Sequence, residues 1–227
     1  MALVQSLAKR KGQIKSRDRV RDLAEVYTHE REVNAMLDLV PDMFPSARDP
    51  GNTDRTFLEP ACGHGNFLVE ILHRKLAFVT QQRYGRGERF EHRALRSLAS
   101  IYGIDICADN VRESRERMRA VISSHVEEHL GTDEPTAGFA AAVDVILATN
   151  VICADTLSEA TDIELVAYEP GSGGTFIREW SRPLDPDARE PNLLSLPPRR
   201  DELPVHYSEL ARQAEPAAAS STQLEAA

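Results

Sequence analysis

The stretch Phe57-Leu58-Glu59-Pro60-Ala61-Cys62-Gly63-His64-Gly65-Asn66-Phe67-Leu68 limits what this chain can fold into more than any other. Phe57 and Leu58 are apolar residues of the strand type, and they follow a polar loop of Gly, Asn, Thr and Asp. Pro60 has no amide to give to a sheet ladder, so the strand should end near Glu59. Gly63 and Gly65 leave the backbone of the next turn unshielded, which lets a ligand approach it closely. Phe67, Leu68, Ile71 and Leu72 then recur at helical spacing and give the helix one apolar face to lay on a sheet. Strand, glycine turn and helix in this order open an α/β unit. A ligand on the turn would meet the free amides of the helix start. Glu59 at the strand tip would repel a phosphate and suit a cationic or hydroxyl-bearing group.

The string from Glu59 to Leu68 resembles the first motif of S-adenosylmethionine-dependent DNA methyltransferases that modify the exocyclic amine of adenine, usually Asp/Glu-Pro-x-Cys-Gly-x-Gly-x-Phe-Leu. A bare Gly-x-Gly would be compatible with an ordinary strand-turn-helix; the ten-residue string is far more specific. Upstream, Tyr27-Thr28-His29-Glu30-Arg31-Glu32-Val33 is similar to the family's Tyr/Phe-Thr-Pro-x-x-Val, with His29 in place of the proline. In the family this Tyr-Thr segment lies over the methionine end of the cofactor. Read from the residues alone, Thr28 is a helix N-cap with Glu30 and Glu32 in the first turn. Val33, Met36, Leu37 and Val40 form its apolar face, and Pro41 stops it.

Two later segments fit the same order. Ile101 to Ile106 reads as a second strand ending in a carboxylate, and Gly103-Ile104-Asp105-Ile106 looks like the family's second motif. Asp105 would take the ribose hydroxyls of an adenosine-type ligand. The interval from the glycine turn exceeds the usual twenty or so residues, which an arginine-rich insertion explains. Asn150 to Leu157 reads as a third strand and turn and resembles Gly-Asp-Ala/Ser-Leu, where the acid binds the adenine amine of the cofactor. Asp155 matches that acid; a plain surface-turn aspartate is the other reading. The resemblance therefore implies a class I methyltransferase-like, Rossmann-like doubly wound α/β sheet. It also implies S-adenosyl-L-methionine bound by Tyr27, Thr28, Glu59, Pro60, Ala61, Cys62, Gly63, Gly65, Asn66, Phe67, Asp105, Ile106, Asp155, Thr156 and Leu157.

The resemblance stops near Leu157. The family's catalytic string, Asn/Asp-Pro-Pro-Tyr/Phe, is missing: Asp49-Pro50 and Asp185-Pro186 lack the second proline and the aromatic, and Pro197-Pro198 follows leucine. No catalytic residue is assigned, and the sheet is expected to be truncated or modified after its third strand. In the place of the fourth motif stands a β-hairpin pattern, Ile163–Tyr168 and Thr175–Trp180 around the turn Glu169-Pro170-Gly171-Ser172-Gly173-Gly174. It completes a sheet edge, or else Tyr168 or Trp180 stacks a base with Glu164, Glu169 or Glu179 as polar partner.

Three regions are expected: a basic N-terminal arm over 1–25, a cofactor-binding domain over 26–182, and a Pro/Ala-rich disordered tail over 183–227. Within the domain the first helix should run to about Thr80. Asp109 should cap a helix with Val111, Met118, Val121 and Ile122 inside, and Phe139, Ala142, Val143 and Ile146 mark another helix. With 27 basic and 36 acidic residues the net charge is −9, which argues against a broad nucleic-acid-coating surface. Local DNA contacts by Lys9, Arg10, Lys11, Arg83, Arg86 and Arg89 stay open beside a merely solvated reading. Cys62, Cys107 and Cys153 have no metal-type spacing, so no metal is assigned, and three cysteines suggest a reducing, cytoplasmic setting. No run is long enough to span a bilayer and no signal-peptide pattern opens the chain, so no membrane partner is expected. The function expected is a DNA adenine-N6 methyltransferase-like protein. It would act alone or as one subunit of a split restriction-modification enzyme whose second subunit supplies the target-base and recognition motifs. The alternative is a non-catalytic S-adenosylmethionine-binding regulatory or interaction module.

Overall fold

The computed structural model describes residues 28–131, 133–182 and 199–212. It is α/β, with a three-stranded parallel sheet and a smaller antiparallel one. The parallel sheet holds β1 (Phe57–Glu59), β2 (Ile101–Asp105) and β3 (Val151–Cys153) in that order. Phe57 stands opposite Ile101, and Asp105 opposite Cys153. Around it run α1 (Glu30–Leu37), α2 (Asn66–Leu76), α3 (Gln81–Tyr84), α4 (Glu88–Ala99), α5 (Ala108–Leu130) and α6 (Phe139–Asn150). The second sheet is the hairpin β4 (Leu165–Pro170) and β5 (Thr175–Ser181), extended by β6 (Val205–His206).

Alternation along β2 divides the core. Gly103 lies under α2, where an added Cβ would come within 2.6 Å of the Leu68 side chain. On the opposite face Tyr102 and Ile104 pack with Ile163 and Leu165, and the Tyr102 hydroxyl donates to Val166 O at 3.1 Å. The hairpin thus covers the second face of β2. The main core joins Leu68, Leu72, Phe90, Leu95, Met118, Ile122, Ile146 and Phe176, all buried. Each such side chain contributes about 1.5–3 kcal/mol relative to exposure.

Several boundaries differ from the sequence-based expectation. α1 has His29 rather than Thr28 at its N-cap and ends at Leu37, which leaves Met36 and Val40 exposed. The first hairpin strand runs Leu165–Pro170 rather than Ile163–Tyr168. The helix after the glycine turn stops at Leu76 rather than near Thr80: Val79 turns inward, and its amide bonds Leu76 O. Asp109 does not cap α5. The helix begins at Ala108, Asp105 accepts the Cys107 amide at 2.8 Å, and Asp109 pairs with Arg112 in the first turn. The largest correction concerns residues 199–212, which were placed in the tail. Here β6 pairs with β5, and Tyr207 is fully buried with its hydroxyl donating to buried Glu91 at 2.6 Å. Asp201 accepts from the backbone and guanidinium of Arg178. Tertiary contact, rather than local propensity, orders this segment. The rest of the expected tail, and the basic arm, lie outside the described residues.

Lys75 is a buried cation on α2. Its ammonium donates to Thr53 O, Arg55 O and Ser100 Oγ at 2.9, 2.5 and 2.8 Å, which ties the loop before β1 to the start of β2. Burial pulls its pKa down to about 7. Among the described residues no helix is long and apolar enough to cross a membrane.

Candidate functional site

The tips of β1, β2 and β3 are stitched together by hydrogen bonds. Gly63 and Gly65 have φ of +53° and +87°, left-handed values that glycine adopts without strain. This bends the chain from β1 into α2. The Gly63 amide donates to Asp105 Oδ2 at 2.8 Å, so the second strand tip braces the first. The third joins through Ala154 N to Asp105 O at 3.1 Å and Thr156 Oγ1 to Pro60 O at 3.4 Å.

Over the turn lies a hollow of about 130 Å³ lined by Thr28, Glu59, Ala61, Cys62, Gly63, His64, Asn66 and Phe67. Seven of the residues proposed from the sequence therefore meet in one place. Glu59 uses one oxygen to accept the Ala61 amide at 3.2 Å. Ile106 and Leu157, at the tips of β2 and β3, are bare apolar side chains, 56% and 94% exposed. Tyr27 lies outside the described residues.

Several of the expected site residues also carry bonds within the fold. Asp105 is 9% exposed, and beyond Gly63 it accepts from Cys107 N and from Asn110 Nδ2 at 3.2 Å. A carboxylate has about four acceptor positions, so roughly one remains for a hydroxyl. At Gly65 the space that a Cβ would need is taken by Ser114 Oγ at 2.8 Å; this glycine admits α5 rather than a ligand. Asp155 caps its own turn, accepting from Leu157 N and from the Ser158 hydroxyl and amide. Those bonds, the hydroxyl's first, hold its pKa below the usual value. A turn aspartate makes such bonds, and the segment reaches the β1 tip through Thr156.

The site holds no activated nucleophile at Cys62. Burial, and then the charge of Asp105, push its thiol up to about 12. None of the three cysteines is in a disulfide. Among the described residues no group of three or more His, Cys, Asp or Glu is placed to hold a metal ion.

Sequence reasoning missed a polar stripe on α5. Asn110, Ser114 and Arg117 face the turn at i, i+4 and i+7: Asn110 bonds Asp105, Ser114 Oγ donates to Gly63 O at 2.9 Å, and Arg117 bonds His64 O and Asn66 Oδ1. The available signal was helical: these polar residues interleave with the apolar Val111, Met118 and Ile122.

The other candidate contacts divide between exposed groups and groups bonded within the fold. Lys9, Arg10 and Lys11 lie outside the described residues. Arg83 and Arg89 are exposed, and Arg86 pairs with Asp133 at 3.3 Å. Arg93 lies 4.8 Å over the Tyr84 ring and donates to Thr53, while Arg96 pairs with Asp54. In the hairpin, Tyr168 is buried with its hydroxyl 2.9 Å from Thr149 Oγ1, and Arg199 lies 3.8 Å from the Trp180 ring centre. Glu169 and Glu179 both pair with Arg200. These groups serve the hairpin's own packing.

No protein-family model matches this chain, and neither a curated protein nor a solved structure matches it.

Proposed function

We propose that the chain binds S-adenosylmethionine across the tips of β1, β2 and β3 and is a methyltransferase-like protein of the DNA adenine-N6 type. The observation that carries this reading is the stitching of three strand-tip loops through Asp105 and the Thr156–Pro60 bond. Open α/β sheets hold ligands outside the carboxyl ends of their strands. Glu59 beside the hollow suits the ammonium of the methionine end, and the hollow's size suits that end rather than the whole cofactor. Ile106 and Leu157 offer apolar surface to an adenine ring, and Asp105 retains room for one hydroxyl.

The bound cofactor would supply an electrophilic methyl group. The chain's part is to bind it, orient it and limit water around it. The acceptor side is assigned to a second chain. Among the described residues β1 has a neighbour only in β2, and Phe57 N donates to Ser100 O. Parallel pairing then turns the Leu58 amide and carbonyl outward, on a residue 39% exposed. An open flank beside the glycine turn suits completion by another subunit. Three cysteines outside any disulfide suit a reducing, cytoplasmic setting.

A second reading has its own support. The missing Asn/Asp-Pro-Pro-Tyr/Phe string and the burial of Tyr168 favour a non-catalytic S-adenosylmethionine-binding module. Incubation with methyl-labelled S-adenosylmethionine and adenine-containing DNA, with and without candidate partner chains, separates them. Label in DNA supports the methyltransferase reading, retained cofactor without transfer supports the module, and no bound label contradicts both.

A further inference from the structure

We propose that Arg117 is a positioning residue that latches Thr28 onto the glycine turn and thereby makes the hollow selective for ligands with an amino-acid end. This inference rests on the S-adenosylmethionine reading above. Arg117 sits on α5, in the middle of a helix of 23 residues. Its NH1 donates to His64 O at 2.6 Å and to Asn66 Oδ1 at 2.9 Å, and lies 3.3 Å from His64 Nδ1. Asn66 in turn donates from Nδ2 to Thr28 O at 2.8 Å.

An amide side chain has one accepting end and one donating end. A guanidinium cannot accept, so Arg117 fixes the Asn66 oxygen on its own side and leaves the amino group facing Thr28. Were the amide reversed, its oxygen would meet the Thr28 carbonyl, two acceptors with no proton between them. The relay runs from α5 through Asn66 to the segment that leads into α1. Three of its members, Thr28, His64 and Asn66, line the hollow.

Charge follows the same path. The hollow carries one carboxylate, Glu59, and two of its lining residues are bonded to a guanidinium. An α-amino-acid head brings an ammonium to Glu59 and a carboxylate to the turn that Arg117 holds from behind, whereas a neutral nucleoside carries neither charge. Arginine suits the task because it stays charged and its planar group bonds several acceptors at once.

The test is calorimetric titration of the full chain with two probes, S-adenosylmethionine and adenosine. In Arg117→Ala the affinity for S-adenosylmethionine should fall about tenfold or more, while that for adenosine changes less than about twofold. Asn66→Asp, which keeps the acceptor for Arg117 but removes the donor to Thr28, should reproduce that selectivity change. Arg117→Lys should recover part of the loss. The Ala variant combined with Asn66→Asp should bind no worse than the weaker single, because both break one relay. Equal weakening of both probes, or no change in either, overturns the latch while the cofactor reading stands. Wild-type protein that binds neither probe overturns the cofactor reading itself.

Discussion

The tips of the parallel sheet and the β4–β6 sheet use their polar groups in opposite ways. At the tips, Glu59 borders a hollow and Ile106 and Leu157 stand bare. In the hairpin sheet Arg178 is held by Asp201, Glu169 and Glu179 are held by Arg200, and Tyr168 and Tyr207 bond inside the fold. One region leaves chemistry exposed and the other has sealed it. The difference separates a surface available to a ligand from a scaffold, although the sequence presents acids and aromatics in both.

The comparison breaks most visibly at the hairpin. Arg178→Ala leaves the part-buried Asp201 carboxylate without its cation and with only a backbone amide as donor from that residue, the side chains being 5% and 12% exposed in the pair. It should cost about 3–5 kcal/mol, read as a large fall in the denaturation midpoint, with ligand affinity of the folded fraction unchanged. A matching loss of affinity would show that the two sheets are not separable.

Within the parallel sheet, Lys75 sharpens the contrast between base and tip. Its pKa is lowered from 10.5 to about 7, so from pH 7 to 10.5 the unfolded chain holds a proton that the folded one lacks. Stability should therefore rise with pH across that window, by up to about 1.4 kcal/mol per unit. Lys75→Met should lose this rise. Urea unfolding at pH 7, 8 and 9 measures it, and equal slopes in both proteins would contradict the assignment.

Asp105→Asn should cost about 1–3 kcal/mol, because this carboxylate braces Gly63, and under the proposed function it should also weaken cofactor binding. Leu157→Ala should be the mildest for stability, within about 0.5 kcal/mol, since the side chain is 94% exposed. Its effect should appear in S-adenosylmethionine affinity alone, as a severalfold loss. Unchanged affinity would remove Leu157 from the site.

Local pattern made much of this legible. The glycine turn and the strands ending at Glu59 and Asp105 lie where short-range spacing puts them, and the hairpin forms with its first strand two residues later. What escaped was non-local. The bond from Asp105 to Gly63 spans 42 residues, that from Arg117 to Asn66 spans 51, and that from Tyr207 to Glu91 spans 116. No window of sequence contains both ends of such a bond. The bonds that Asp105 makes to the turn were thus not legible in sequence, nor was the anchoring of residues 199–212 by Tyr207. Asp155 shows the converse: its turn was readable locally, and the local reading describes its bonds.

Because Asp105 has a bracing role, Glu59 gives the cleaner test of the claim that the strand tips bind S-adenosylmethionine. Calorimetric titration should show micromolar binding to the wild type, on the order of −8 kcal/mol. In Glu59→Gln the affinity should be at least about tenfold weaker at an unchanged melting temperature. No binding heat with the wild type, or equal affinity in the two proteins, would contradict it.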